Sequence, residues 1–166
     1  ELAAEKANWG KKKNVAQGFS VYFSHRSYVA QVAEVEMKNG KPTLQKITAA
    51  ADCGVVVNLS GAMQQVRGGS VDGLGHAFYG NLTFKNGEPE QKNFNTYRLI
   101  RLKEIPEIDV HFVNNGIDPT GLGEPALPPT GGAVANAFFK ATGKRLYNQP
   151  FFKQDALEGV SLGRKG

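Results

Sequence analysis

Residues 28–38 run Tyr-Val-Ala-Gln-Val-Ala-Glu-Val-Glu-Met-Lys, Asn39-Gly40 follows, and residues 43–50 run Thr-Leu-Gln-Lys-Ile-Thr-Ala-Ala. The first run alternates with a period of two, which predicts a half-buried β-strand. The side chains that share its predicted inner face are Val29, Gln31, Ala33, Val35 and Met37. Asn-Gly between two such runs favours a tight two-residue turn, so the stretch predicts a β-hairpin.

The segments on either side of this hairpin predict another strand and two helical pieces. Residues 1–15 are expected to form a partial helix and a linker, and residues 17–23 are rich in β-type side chains. After the hairpin, Asn58 or Ser60 can cap a helix that runs to about residue 79. Glycines at positions 68, 69, 73 and 75 would weaken that helix by about 1 kcal/mol each relative to alanine. Close approach of another backbone or of a ligand would compensate for this cost.

The second half of the chain predicts further strands and a last helix. A turn-rich strand pair is expected around residues 82–87, and an extended stretch covers residues 108–113. The last helix is predicted from about residue 126 to residue 142, with Pro128-Pro129 at its start and Gly143 at its end. Because no regular βαβ rhythm is present, the fold class is α+β, with mixed or antiparallel strands and two or three helices. Residues 1–166 are expected to form a single domain whose residues 155–166 are a flexible tail.

Composition excludes several classes of function. The 166 residues carry a net charge of +5, but basic residues cluster only at Lys11-Lys12-Lys13 and Arg164-Lys165. This spread indicates a solvated basic surface, and no nucleic-acid partner is expected. The single cysteine excludes an internal disulfide and any multi-cysteine iron–sulfur or metal site. No apolar run is long enough for a membrane span, and the first residues lack the basic-then-apolar layout of a secretory signal.

Residues 121–129, Gly-Leu-Gly-Glu-Pro-Ala-Leu-Pro-Pro, place one carboxylate between glycines and prolines just before the last helix. Gly121 and Gly123 let the backbone pass close to a ligand, and Pro125 restricts Glu124 to extended geometry. A rigid backbone can hold a carboxylate within reach of a reacting proton, so Glu124 is a candidate general base. An ordinary turn with a solvated glutamate is the alternative.

Other reactive side chains are weaker candidates. His25, His76 and His111 are scattered, and structural roles are expected for them rather than metal ligation. Cys53 follows an acidic residue at a strand end and is expected to be a small buried residue rather than a nucleophile. No metal-ligand set and no nucleotide-binding loop is predicted.

Three segments together resemble one family. They are Ala51-Asp-Cys-Gly-Val-Val-Val-Asn58, Gln65-Val-Arg-Gly-Gly-Ser-Val-Asp-Gly-Leu-Gly75 and Gly121-Leu-Gly-Glu-Pro125. With them, nearly the whole chain resembles the large, molybdopterin-binding subunit of xanthine dehydrogenase-type molybdenum hydroxylases. Within that family it is most similar to the isoquinoline 1-oxidoreductase β-subunit and related aldehyde dehydrogenases.

The resemblance implies specific roles for residues of this chain. Glu124 would be the general base of a hydroxylation of an N-heterocycle or aldehyde that uses water-derived oxygen. Gln65 would hydrogen-bond close to the metal centre, and Gly68, Gly69 and Gly123 would border the cofactor, although helix packing explains the helical glycines almost as well. The implied cofactor is molybdopterin with molybdenum, in its cytosine dinucleotide form.

The same resemblance implies partners. The remainder of the large subunit would complete the site, and a small subunit would carry iron–sulfur clusters. We therefore expect the chain to be the C-terminal portion of a longer polypeptide and to be inactive alone. The compartment stays open between the bacterial periplasm and the cytoplasm.

Two positions depart from the family pattern. Arg67 stands where glutamate is usual, and Leu59 stands where a proline commonly follows the asparagine. Arg67 could favour a phosphate of a dinucleotide-type pterin, or it could face solvent.

Two alternatives to the enzyme portion remain. The chain could be a non-catalytic split subunit or assembly module that docks to the other half of such an enzyme, and an exposed apolar surface around the glycine-rich helix and the Glu124 loop would mark it. It could also be a non-catalytic α+β binding domain in which the Gly-Glu-Pro motif is coincidental.

Overall fold

A computed structural model describes residues 1–153 and 161–162, which form both strands and helices without a regular alternation. The helices are α1 (Leu2–Lys6), α2 (Leu59–Tyr79) and α3 (Pro128–Thr142). The strands are β1 (Val15–Ser24), β2 (Ser27–Lys38), β3 (Lys41–Asp52), β4 (Phe84–Lys85), β5 (Glu88–Pro89), β6 (Glu107–Phe112) and β7 (Ser161–Leu162). Short 3₁₀ turns occupy Leu102–Glu104 and Phe151–Lys153. Of the predicted tail at 155–166 only β7 is described, and the rest lies outside the described residues.

The main sheet is mixed, with the order β1-β2-β3-β6. The short strand β7 also pairs with β3, at a different part of β3 from β6. The strands β1, β2 and β3 are antiparallel neighbours, whereas β6 and β7 run parallel to β3. The predicted hairpin is confirmed, with Asn39 and Gly40 at positive φ in its turn. The α+β class with mixed strands and three helices is likewise confirmed.

One face of the sheet packs against α2 and α3. The approach of α3 to β1 is so close that a Cβ on Gly18 would lie 2.1 Å from the backbone nitrogen of Ala137. The largest apolar cluster is centred on Phe78 and Phe138, which stack edge to face. Four residues of the predicted inner face of β2 are buried as expected, but Met37, near the end of the strand, is exposed.

The opposite face of the sheet is partly covered by α1. Ala3 of α1 and Ala7, which follows the helix, form a buried cluster with Val32 and Ala50. Glu34 is also buried on this side, where both of its carboxylate oxygens accept hydrogen bonds from Lys12 at 2.6 and 2.8 Å. The middle of β2 is therefore buried on both faces, and the prediction of a half-buried strand was wrong there.

Helix α2 begins with the predicted cap, since the Asn58 side chain accepts a hydrogen bond from the Gly61 amide at 2.9 Å. Its glycines are compensated in part by packing. A Cβ on Gly73 would lie 2.6 Å from the Leu127 carbonyl oxygen, so only glycine permits this approach to the start of α3. Among the described residues, no helix is long and apolar enough to cross a membrane.

Candidate functional site

The loop that carries Glu124 has a buried backbone end and an exposed carboxylate. Pro125 and Ala126 are buried, whereas the Glu124 side chain is 80% exposed. The Glu124 carbonyl accepts a hydrogen bond from the Leu127 amide at 3.0 Å, which forms a turn into α3. The described part of the chain therefore does not shield this carboxylate from water.

Gln65 of α2 contacts this loop directly. Its side-chain amide donates a hydrogen bond to the Gly123 carbonyl at 2.5 Å, across 58 residues of sequence. The Gln65 side chain is exposed, so its carbonyl oxygen remains at the surface. The structure thus brings together Gln65, Gly123 and Glu124, three of the five residues singled out from the sequence.

The two helical glycines of the prediction have different surroundings. A Cβ on Gly68 would meet nothing within 4 Å, and the same is true of Gly123. A Cβ on Gly69 would lie 3.1 Å from the Ala126 side chain, so packing against the loop accounts for this glycine. Gly68 and Gly123 therefore expose bare backbone, and Gly69 keeps the helix close to the loop.

A buried polar cluster fixes the loop to the sheet. The Gln31 amide of β2 donates to the Ala126 carbonyl at 2.7 Å and to the Ser70 hydroxyl at 3.1 Å. The Thr130 hydroxyl lies 2.8 Å from the Gln31 carbonyl oxygen and also contacts the Ala126 carbonyl. All three side chains are fully buried, so these hydrogen bonds are shielded from water.

Sequence reasoning gave Gln31 no role at the site. The signal was present, because this amide stands on an otherwise apolar inward face of the predicted strand, where a buried polar group needs hydrogen-bond partners.

The turn between β1 and β2 contacts the other side of the loop. The Gly121 amide donates to the His25 carbonyl at 3.0 Å, and the Ser27 and Thr120 hydroxyls are 2.6 Å apart. A Cβ on Gly121 would lie 2.6 Å from the His25 Cβ, so glycine is required for this contact. The Nε2 atom of His25 lies 3.8 Å from a carboxylate oxygen of Glu124.

Arg67, one of the two departures from the family pattern, turns toward the sheet. Its Nε atom donates a long hydrogen bond of 3.4 Å to the Ile108 carbonyl, and the residue is half-buried. Leu59, the other departure, is exposed at the start of α2.

The remaining reactive side chains lie elsewhere. His111 Nε2 is 3.1 Å from Asp109 Oδ2, an ion-pair contact off the direction of a good hydrogen bond. Burial alone raises the pKa of the Asp109 carboxyl, yet Lys46 and His111 bring it below its ordinary value.

Burial, and then the neighbouring Asp52 carboxylate, raise the pKa of the Cys53 thiol, which disfavours a thiolate nucleophile. Among the residues that the structure describes, no cluster of three or more His, Cys, Asp or Glu could hold a metal ion.

The site is therefore an exposed edge whose loop backbone is held by buried hydrogen bonds. It presents a carboxylate, an uncharged amide and two stretches of bare backbone, and the His25 imidazole lies 3.8 Å from the carboxylate. Bare backbone and an amide suit a large polar organic ligand, because amides and backbone groups bond it without adding charge.

This fold is an α+β domain with an exposed polar edge, and comparison with known proteins identifies its family. The profile of the molybdopterin cofactor-binding domain family matches residues 2–106. The match spans more than half of the chain, so the chain belongs to the molybdopterin cofactor-binding domain family. The predicted resemblance to molybdenum hydroxylase large subunits is thereby confirmed.

Individual relatives agree with this family. A membrane-bound aldehyde dehydrogenase of Gluconacetobacter polyoxogenes, whose name carries pyrroloquinoline quinone, is 37% identical over 96% of this chain and 22% of its own length. The isoquinoline 1-oxidoreductase subunit beta of Brevundimonas diminuta is 28% identical over 89% of this chain and 20% of its own length. The aldehyde oxidoreductase of Desulfovibrio desulfuricans ATCC 27774 superimposes with a TM-score of 0.66 at 25% identity, over 80% of this chain and 15% of that one. The chain thus spans about a fifth of the length of these relatives.

Proposed function

We propose that this chain is the C-terminal portion of the large subunit of a molybdenum-cofactor-dependent hydroxylase, which oxidises an aldehyde or an N-heterocycle with oxygen derived from water. One observation carries the proposal: the Gln65 side-chain amide donates a hydrogen bond to the Gly123 carbonyl beside Glu124. At the same edge, the space beside the Gly68 backbone is open. The names of two relatives, an aldehyde dehydrogenase and an isoquinoline oxidoreductase, support the substrate classes.

The cofactor would lie against the edge formed by α2 and the Glu124 loop. Gln65, Gly68 and Gly123 would hold the molybdopterin group, which supplies the acceptor for two electrons when it is bound. Gln65 can bond the ligand without introducing charge, because its carbonyl oxygen and second amide hydrogen remain at the surface. Gly68 and Gly123 allow close approach because a Cβ at either position would point into open space.

Glu124 would act as the general base. Its carboxylate accepts the proton of the water-derived oxygen as that oxygen bonds to the substrate carbon. The overall change is R–H plus water giving R–OH, two protons and two electrons. The loop backbone is held by the buried Gln31 cluster, which keeps the carboxylate in place during the proton transfer.

Residues outside this chain would complete the site. The Glu124 carboxylate is exposed here, so the remainder of the large subunit would exclude water from it. A small subunit with iron–sulfur clusters would receive the electrons, and the molybdopterin would be the cytosine dinucleotide form. The isolated chain is accordingly proposed to be inactive.

The proposal is tested with the complete enzyme that contains this segment. Molybdenum content is measured by elemental analysis, and the substrate is turned over in ¹⁸O-labelled water. We expect about one molybdenum per large subunit and ¹⁸O in the product. Enzyme that turns over without molybdenum, or whose product takes its oxygen from O₂, would overturn the proposal.

The same preparation distinguishes a quinone cofactor. Because one relative's name carries pyrroloquinoline quinone, the extracted cofactor is analysed by mass spectrometry for both groups. We expect a pterin dinucleotide. A stoichiometric quinone with no pterin would show that this protein does not use the cofactor of its family.

A second candidate, the split subunit that docks to the other half of such an enzyme, is favoured by one observation. Val55, Val57, Leu59 and Ile117 are exposed apolar residues around the start of α2 and the segment before the Glu124 loop. Exposed apolar patches of this kind mark interfaces. Intact mass of the natural product decides between the candidates, because a split subunit has a mass near that of this chain, 17.9 kDa, and the large-subunit portion has a several-fold larger one.

A further inference from the structure

The turn between β1 and β2 differs from the other tight hairpin turns of the described chain. Three hairpins close through two residues: His25-Arg26, Asn39-Gly40 and Asn86-Gly87. All six turn residues have positive φ, between 51° and 82°. Asn-Gly suits this conformation, whereas His-Arg is not one of the preferred turn pairs, and the left-handed conformation costs free energy at residues that carry a Cβ.

The unusual turn is the one that touches the Glu124 loop. The His25 carbonyl accepts a hydrogen bond from the Gly121 amide, and Gly121 leaves room for the His25 Cβ. The Nδ1 atom of His25 lies 3.1 Å from the Ser24 hydroxyl, which orients the ring. The opposite ring nitrogen, Nε2, then lies 3.8 Å from the Glu124 carboxylate.

An unfavourable backbone conformation that persists beside a candidate site points to a function of the side chain held there. We infer that His25 is a positioning residue for Glu124, whose imidazole restricts the direction of the carboxylate as it accepts a proton. This inference rests on the proposed function of Glu124 as the base. The role is one of positioning, because His25 acts through Glu124 and is not itself placed against a substrate or cofactor.

The substitution His25→Asn distinguishes the effect of the imidazole from the effect of the turn conformation. Asparagine adopts positive φ readily in such turns, so the turn is kept, but its shorter side chain does not reach Glu124. Arg26→Gly is the matched control, because it relieves the same turn and leaves the imidazole in place. Arg26 is exposed and is not part of the proposed site.

The first readout is spectroscopic and uses the 166-residue chain. The Glu124 carboxyl carbon is observed by NMR at one fixed pH for all variants. We expect His25→Asn to shift this resonance, and Arg26→Gly and His76→Asn to leave it in place. His76 pairs with Asp72 on the surface of α2, so it controls for the loss of an exposed histidine elsewhere.

The second readout is steady-state turnover of the complete enzyme. We expect His25→Asn to lower kcat about tenfold with KM unchanged, since misplacing a catalytic group can cost up to 100-fold. Arg26→Gly should keep the wild-type kcat. Thermal unfolding midpoints are recorded for both variants, and neither should fall.

Three results would overturn the inference. The first is an unshifted carboxyl resonance in His25→Asn, and the second is an unchanged kcat. The third is an equal loss of kcat in both turn variants, which would assign the effect to the backbone. Glu124→Gln is measured in parallel, because an unchanged kcat in that variant would refute the base itself, whereas the NMR result does not depend on that assignment.

Discussion

At the scale of single residues, Gln31 ties the Glu124 loop to the sheet. Replacing it with leucine removes hydrogen bonds to Ser70, Thr130 and the Ala126 carbonyl in a fully buried site. We expect Gln31→Leu to lower the free energy of unfolding by about 2 kcal/mol, because buried polar partners lose their hydrogen bonds. Urea unfolding measures this.

The control for that substitution is Gln64→Leu, at an exposed position of α2. It should change the free energy of unfolding by less than about 0.5 kcal/mol, as surface substitutions usually do. Equal stabilities of the two variants would contradict the anchoring role of Gln31.

The sequence indicated some of these residues and not others, for a physical reason. Glu124 and Gln65 belong to local motifs whose residue types suggest chemistry, and the structure places them together. Gln31 was assigned to an inward face, but its partner at Ala126 is 95 residues away. A pattern with a period of two shows which way a side chain points and does not show what it meets.

At the scale of elements, some glycines of α2 pack closely against the start of α3, whereas others have open space beside their backbone. Gly73→Ala should destabilise the chain by at least about 1 kcal/mol, because its Cβ would overlap the Leu127 carbonyl. Gly68→Ala should instead stabilise it by about 0.5–1 kcal/mol, since alanine is the better helix former and the Cβ meets nothing. Urea unfolding of both variants checks the two signs.

Gly68→Ala also tests the cofactor assignment, because the added methyl group would fill the space where the ligand is proposed to approach. In the complete enzyme we expect a lower molybdenum content for this variant despite its higher stability. Full molybdenum occupancy would contradict the assignment of Gly68 to the cofactor surface.

The connection between β5 and β6 is held against the end of α2 by Glu104. This carboxylate accepts a hydrogen bond from the Tyr79 hydroxyl at 2.7 Å and pairs with Arg98, whose guanidinium lies 3.9 Å from the centre of the Tyr79 ring. Burial alone raises the pKa of Glu104, but the hydrogen bonds from Tyr79 and the Arg101 amide, with the charge of Arg98, bring it below its ordinary value.

A lowered pKa in the folded state means that the ionised form of Glu104 stabilises the fold. This stabilisation is present above the pKa of the unfolded chain and is lost as the pH falls through the folded value. We expect Glu104→Gln to lower stability at pH 7 and to make the loss of stability below about pH 4.5 less steep. Urea unfolding at several pH values measures this, and a wild-type pH dependence in the variant would contradict it. Glu90→Gln, at an exposed glutamate, serves as the control.

The elements that the sequence predicted best are those with local end signals. The hairpins at Asn39-Gly40 and Asn86-Gly87 carry the preferred turn dipeptide, and Asn58 and Gly143 are capping residues. The turn at His25-Arg26 carries no such signal, so the pairing of β1 with β2 was not predicted. The parallel pairing of β3 with β6 joins segments about 60 residues apart, which no local pattern indicates.

At the scale of the whole molecule, the candidate site is open. The Glu124 carboxylate and the Gln65 amide lie on the outside of the described chain, and the chain spans about a fifth of the length of its relatives. We therefore expect the purified 166-residue chain to fold, to bind less than stoichiometric molybdopterin and to show no turnover with aldehydes or N-heterocycles. Unfolding and activity assays check this, and turnover by the chain alone would show that no further residues are needed.

The sequence could indicate the chemistry of the site more readily than its surroundings. The motifs at Gln65 and Glu124 are contained in this chain, whereas the water exclusion that a base needs depends on residues packed over it. The apolar neighbours of Glu124 in sequence do not shield its carboxylate, because Pro125 and Ala126 are buried in the core while Glu124 is exposed. At a turn, residues adjacent in sequence can place their side chains in different surroundings.

The most direct test of Glu124 as the base is the rate at which substrate reduces the bound cofactor in a single turnover. Wild-type complete enzyme is compared with Glu124→Gln, an isosteric change that removes the carboxylate, and with Glu90→Gln at an exposed site. We expect Glu124→Gln to slow the reduction by at least about 100-fold at equal molybdenum content, the effect of losing a general base, and Glu90→Gln to keep the wild-type rate. A wild-type rate in Glu124→Gln would contradict the central claim that this residue takes the proton.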